Sequence, residues 1–288
     1  ERARLRETIT WNATLGIRLP VALLARVMSS EYELSARALS RNIEVLRRFG
    51  VLHERVHQNV ECVEFDNSLL RESLLMEVSQ GTQAAKMHRR AAEAKLDYYE
   101  QQRRDIPVLE IAEHWRRGGA EENYRDALFD AARRSMRRHD PRGAREQFRE
   151  LLRLLDNRGE RGEMWGEALM SLAELSWRFG ELGLAEDNYR AALGADVLEG
   201  AELARAERGM AHLLFLLGRY PEAVRHYRAA LSTANGMQDK AAIAKALVGL
   251  SKVHLRQGDP AAGEKVRARL EEMLPSLDGG ELAGKVLL

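Results

Sequence analysis

Eight histidines and a single cysteine are the residues of this 288-residue chain best suited to metal or nucleophilic chemistry, and their spacing supports neither. The run His-Glu-x-x-His, which puts two zinc ligands on one helical face, does not occur. His53 and His57 stand four apart in a segment of strand and turn character, a context not expected to align them on one ion. Cys62 is the lone cysteine, so it can close no internal disulfide and reads as a structural thiol rather than a nucleophile. Phosphate-transfer chemistry lacks its loop: the one Gly-Lys pair, Gly284-Lys285, is followed by Val286 where a phosphate loop needs Ser or Thr. No catalytic residue, metal ligand or cofactor is expected in this segment.

Arginine is the remaining candidate. Only seven of the 45 basic side chains are lysines, a bias that reads as the composition of a GC-rich, bacterial genome. The 44 acidic side chains bring the net charge to +1, so no global field steers the chain to polyanions. On the stretch 31–49, Arg37, Arg41 and Arg48 share a polar face with Glu44, which is what a DNA-reading helix could offer. Six nearby glutamates (31, 33, 44, 54, 61 and 64) dilute that face, and nucleic acid is not the expected partner. Ten arginines between Arg133 and Arg161 stand against five acids and read mostly as a solvated surface.

The elements that must position these residues are helical. Hydrophobic residues at 45%, charged at 31% and only six prolines indicate a folded, helix-rich chain long enough for two domains or a repeat array. No apolar run approaches a membrane span, and none resembles a signal peptide, so a cytoplasmic location is expected. Alanines twelve apart recur as Ala132 with Ala144, Ala173 with Ala185, and Ala211 with Ala223. Four residues after each second alanine comes a ring (Phe148, Tyr189, Tyr227), and three later another packing residue (Leu151, Ala192, Ala230). Gly180 and Gly218 precede the second alanine by five, with His139 in that place in the first copy, and Pro141, Pro221 and Pro260 sit where second helices begin. A degenerate fourth copy has Gly258, Gly263, Arg267 and Leu270. Small residues on facing positions let two antiparallel helices approach, and the ring fills the space to the next pair.

This pattern resembles the tetratricopeptide repeat, with units lengthened to about 40 residues by long first helices such as 199–217 and 239–257, as in repeats of the bacterial maltose-regulator type. The resemblance implies a right-handed superhelix whose first helices line a concave groove. Counting the first small residue as position eight, position twelve is Met136, Trp177, Phe215 and Leu255. Position nine is Arg133, Glu174, His212 and Lys252; position thirteen includes Arg137, Arg178 and Arg256. Position five is Phe129, Met170 and Arg208, and position two of the third unit is Arg205. An apolar ladder flanked by cations suits a protein or peptide partner of acidic character.

Upstream of the array, 3–15, 20–28 and 31–49 read as helices, and 51–56 and 60–65 as strands around the turn His57-Gln58-Asn59. Three helices and a β-hairpin make a winged helix over 1–65. A helical connector over 66–106, with helices near 67–79 and 82–103, leads to the array at 107–288. Ile111–Trp115 and Gly118-Gly119 read as part of one more hairpin, whose second helix runs from about 121 to 138. Glu281–Leu288 reads as the opening of a further helix, so the array is expected to be truncated there and the chain to be a piece of a longer protein.

The run Phe65–Leu74, then His88-Arg89-Arg90-Ala91-Ala92, then Ile111-Ala112-Glu113-His114-Trp115, resembles the region after the nucleotide-binding core in bacterial signal-transduction ATPases with numerous domains. The resemblance implies a regulatory, non-catalytic segment in contact with an ATPase core upstream, and a winged helix that packs internally rather than on DNA. A DNA-binding regulator and an oligomerisation scaffold are the alternatives.

Overall fold

The computed structural model describes residues 2–80 and 83–273; the expected last helix at 281–288, the start of the helix expected from 82, and Gly284-Lys285 lie outside the described residues. Contacts divide the chain into two compact units, with the division between Ala131 and Ala132. The structure is mainly helical, with one small sheet and a tandem array of helical pairs.

The first unit begins α1 (Arg2–Leu15), β1 (Arg18–Pro20), α2 (Val21–Tyr32), α3 (Ala36–Arg48), β2 (Leu52–His57) and β3 (Val60–Phe65). The sheet is antiparallel in the order β1-β3-β2, with Leu19 opposite Val63 and Glu54 opposite the same residue on the other side. A three-residue strand ending in proline carries almost no periodic signal, so β1 was not expected from the sequence. The third helix also departs from expectation. It starts at Ala36 rather than Glu31, because α2 runs on to Tyr32 and ends at Glu33 in the left-handed conformation (φ 53°). The amides of Glu33 and Leu34 close that end on the carbonyls of Ser29 and Met28, and Ser35 then caps α3 by accepting from Ala38 N.

The hairpin turn has two residues, not three: Gln58 and Asn59 both hold positive φ (48° and 64°), as the tight turn between twisted strands requires. On β2, His53 and His57 do share a face, since strand residues four apart point the same way, and both reach Glu64 on β3. This corrects the expectation that they are unaligned. Glu64 Oε1 lies 3.1 Å from His57 Nε2, and Asp66 Oδ1 lies 2.6 Å from His53 Nδ1. Cys62 is buried on β3, and burial pushes its thiol up, away from the reactive thiolate.

Four further helices follow: α4 (Ser68–Gln80), α5 (Ala84–Gln101), α6 (Val108–Arg117) and α7 (Glu121–Arg137). Ala91 and Tyr98 of α5 enter the same core as Trp11, Leu15, Leu19, Leu23, Ile43 and Val63. An adjoining face of α5 packs Ala92 against Ile111 and Trp115 of α6. Two of the motifs that carry the signalling-ATPase resemblance therefore form one joint. His88 Nδ1 lies 3.0 Å from His114 Nδ1, and Arg89 Nε donates to Gly118 O at 2.6 Å. Gly118 is needed there: a Cβ would fall 2.7 Å from Arg89 Cγ.

The second unit stacks α8 (Pro141–Arg158), α9 (Glu163–Arg178), α10 (Leu182–Gly194), α11 (Gly200–Leu216), α12 (Tyr220–Gly236), α13 (Lys240–Gln257) and α14 (Pro260–Met273). The paired alanines Ala132/Ala144, Ala173/Ala185 and Ala211/Ala223 are all fully buried. Gly180, Gly218 and Gly258 hold φ between 73° and 79°, and His139 adopts the same left-handed geometry (φ 58°) without being glycine. Two of the rings, Tyr189 and Tyr227, each meet a glycine in the next pair. A Cβ on Gly209 would sit 2.3 Å from Tyr189 Oη, and one on Gly249 would sit 2.1 Å from Tyr227 Cε1. Both tyrosines are buried.

Candidate partner-binding groove

In the second unit, α9 and α11 present Glu174, Trp177 and Arg178 beside Arg205, Arg208 and His212. Spacings of three, four and seven place each set on one helical stripe. Together with Tyr189 and Gly209 these residues line a groove of about 440 Å³. Its apolar element is a chain of rings. Trp177 and His212 meet edge-on with centroids 5.3 Å apart, His212 stacks on Phe215 at 6.4 Å, and Phe215 meets Tyr220 at 5.8 Å. Trp177 keeps 37% of its surface exposed, so it is available rather than sealed.

The electrostatics are lopsided. Arg205 Nε donates to Glu174 Oε1 at 2.8 Å, and its Nη2 bonds the other oxygen, so that pair is a clamp between α9 and α11. Arg178 and Arg208 have no acidic partner among the described residues and leave the groove cationic. Burial, with the charges of Arg208 and Lys252, holds His212 below the usual histidine range, so it is neutral. Burial and the Glu174 carboxylate push the Tyr189 phenol up, which keeps it a neutral hydrogen-bonding group.

The other expected groove residues divide. Arg133 is held by both oxygens of the buried Glu167, a second inter-helix clamp, and Met136 and Arg137 follow it on α7, half-buried and exposed. Lys252, Leu255 and Arg256 are exposed on α13, with Leu255 at 74%. Phe129 is half-buried on α7, before the division. Met170 is a correction: it is fully buried, because position five of the second unit faces the interior of the stack, and it offers nothing to a partner. On α3, Arg37 and Arg41 are exposed, while Arg48 and Arg47 are tied to Glu44, whose carboxyl they hold below its ordinary range.

Sequence reasoning missed Tyr189 and Gly209 as groove residues. Tyr189 was assigned to packing alone, yet its ring borders the groove beneath Gly209. The signal was a glycine twenty residues after the ring, repeated as Gly249 twenty-two after Tyr227. Among the described residues, no three His, Cys, Asp or Glu converge to hold a metal ion, and no helix is long and apolar enough to cross a membrane.

Comparison with known proteins agrees with this architecture. Residues 202–263 match the tetratricopeptide repeat family. BtubC from P. vanneervenii is similar in structure, at 16% identity and TM-score 0.55 over 84% of this chain and 90% of the other. The apo form of RapI aligns at 13% identity and TM-score 0.55, over 77% of this chain and 63% of its own. A signal-transduction ATPase with numerous domains that carries a tetratricopeptide repeat sensor, from Pyrococcus horikoshii, aligns at 9% identity and TM-score 0.47, over 94% of this chain and 50% of its own. No curated protein sequence matches. At these identities the likeness is one of fold: tandem tetratricopeptide-like helical pairs.

Proposed function

We propose that the second unit captures a protein or peptide of acidic character in the groove between α9 and α11, as the sensor of a bacterial signalling ATPase. The observation that carries this reading is the ring chain Trp177–His212–Phe215 beside two arginines, Arg178 and Arg208, that lack acidic partners among the described residues. Rings anchor a partner by burial, and a planar guanidinium orients a carboxylate through two parallel hydrogen bonds. The motifs around His88 and His114 support the assignment to an ATPase of the class with numerous domains. The order α1-β1-α2-α3-β2-β3, with its three-stranded sheet, supports a winged helix in the first unit. In the mechanism we favour, the winged helix and repeats hold the ATPase core closed. A partner that binds the open state more tightly shifts the balance by that difference in affinity. The segment itself is non-catalytic and acts in the cytoplasm.

Two measurements test this. Peptides selected by display on the chain should be rich in Asp and Glu beside aromatic or aliphatic residues, and should bind the Trp177→Ala, Arg208→Glu double variant at least ~10-fold more weakly. In the full-length protein the same double variant should change basal or inducer-stimulated ATP hydrolysis. If both rates are unchanged, the groove is not the sensor.

A further inference from the structure

A second concave site lies wholly in the first unit, apart from the groove of the second. It is a cleft of about 640 Å³ formed by the turn after α1, α4, α5 and α6. Its walls are apolar where Leu15, Ile17, Leu75 and Leu109 face in. Ile17 and Leu109 keep 65% and 53% of their surface exposed, which is more than a finished wall leaves open.

The polar groups at the other end are unusual for being buried. Lys95 is 4% exposed, and its ammonium donates to Glu110 Oε2 at 2.6 Å. His88 and His114 are 5% and 8% exposed, with their Nδ1 atoms 3.0 Å apart. Both are held neutral by burial, and nearby cations lower His114 further. Glu113 is committed to Arg116 and Arg117. That leaves Arg71 on α4. It is half-buried, its Nε has no hydrogen-bond partner, and no carboxylate pairs with it among the described residues. At longer range the like charge of Arg117 opposes its charge, and the carboxylates of Glu72 and Glu110 each offset that in part. A half-buried guanidinium with no carboxylate in contact and a second cation nearby has lost hydration that no hydrogen bond replaces, and an anion entering the cleft supplies that contact.

We propose that this cleft binds a small amphiphilic anion, its apolar body against Leu15, Leu75 and Leu109 and its carboxylate or phosphate head on Arg71 beside Arg117. The volume is that of a small-molecule pocket, and the mixture of apolar wall and a few converging polar groups is what such pockets use for affinity and orientation.

The test is calorimetric titration of the chain with decanoate and with decyl phosphate, below their micelle concentrations, and with decanol and inorganic phosphate as partial ligands. Saturable one-to-one binding of either amphiphilic anion is expected, and the tighter of the two identifies the head group. Decanol and inorganic phosphate should each bind at least ~10-fold more weakly, since each lacks one half of the ligand. Arg71→Met keeps the aliphatic stem and should weaken binding at least ~10-fold while leaving the thermal midpoint unchanged or raised. A lowered midpoint would mean that Arg71 serves the fold instead, and would overturn the proposal. So would binding that Arg71→Met leaves unaltered, or no saturable binding by any of the four probes. None of these results bears on peptide capture by the second unit, which Trp177 and Arg208 decide separately.

Discussion

Arginine in this chain does two jobs, and the partner decides which. Arg133 and Arg205 are clamped by Glu167 and Glu174, so substituting either removes a strut between helices. Arg178 and Arg208 have no such carboxylate and are free to meet one on another molecule. Titration belongs to this scale too. His114 is held at about 3, mainly by burial and then by the charge of Lys95. Unfolded, it takes up a proton near pH 6.5, whereas folded it stays neutral, so stability is complete above pH 6.5 and falls as the pH drops toward 3. His88 and His212 are lowered in the same direction, and Glu113, held at about 2, adds its own loss only below pH 4.5. Urea unfolding at pH 5 is therefore expected to need about 1–2 kcal/mol less than at pH 7. His114→Asn, which keeps an amide group near the place of Nδ1, should flatten that dependence. An equal slope in the variant would show that His114 does not carry it.

At the scale of elements, the repeats are held in register by rings seated on glycines. Gly209→Ala would drive a methyl group into Tyr189, and an overpacked core contact costs about 1–3 kcal/mol. Gly183, on α10, has open space around its missing Cβ, so Gly183→Ala should be neutral or stabilising by up to about 1 kcal/mol. The urea midpoint should fall for Gly209→Ala and hold or rise for Gly183→Ala, and similar shifts would mean that the ring does not set the spacing. The twelve-residue alanine spacing made the helical pairs legible from sequence, because a helix crossing that close tolerates nothing larger. The break between α2 and α3 was not legible. Glu33 in the left-handed region is uncommon for a side chain with a Cβ, and Ser35 is a cap only if the helix has already ended.

For the whole molecule, balanced charge is the governing fact. With net charge +1, association with a polyanion has no long-range steering and must depend on a local patch. The exposed pair Arg37 and Arg41 is a small one. In a mobility shift at low salt the chain should not retain duplex DNA. Retention that is lost on Arg37→Glu with Arg41→Glu would instead assign α3 to DNA.

Periodicity alone established the helical pairs, the facing alanines, the ring that follows them and the candidate stripe of Trp177, His212 and Phe215. Those features repeat along the chain and depend only on contacts between neighbouring pairs. Which of the stripe's charges remain available was decided by tertiary structure, because Arg205 and Glu174 lie 31 residues apart and Arg133 and Glu167 lie 34 apart. Met170 and Trp177, positions five and twelve of one unit, both fall on the expected groove stripe, yet one is sealed and the other open. The cleft around Arg71 has no periodic trace at all, since its walls come from the turn after α1 and from three later helices with unrelated patterns.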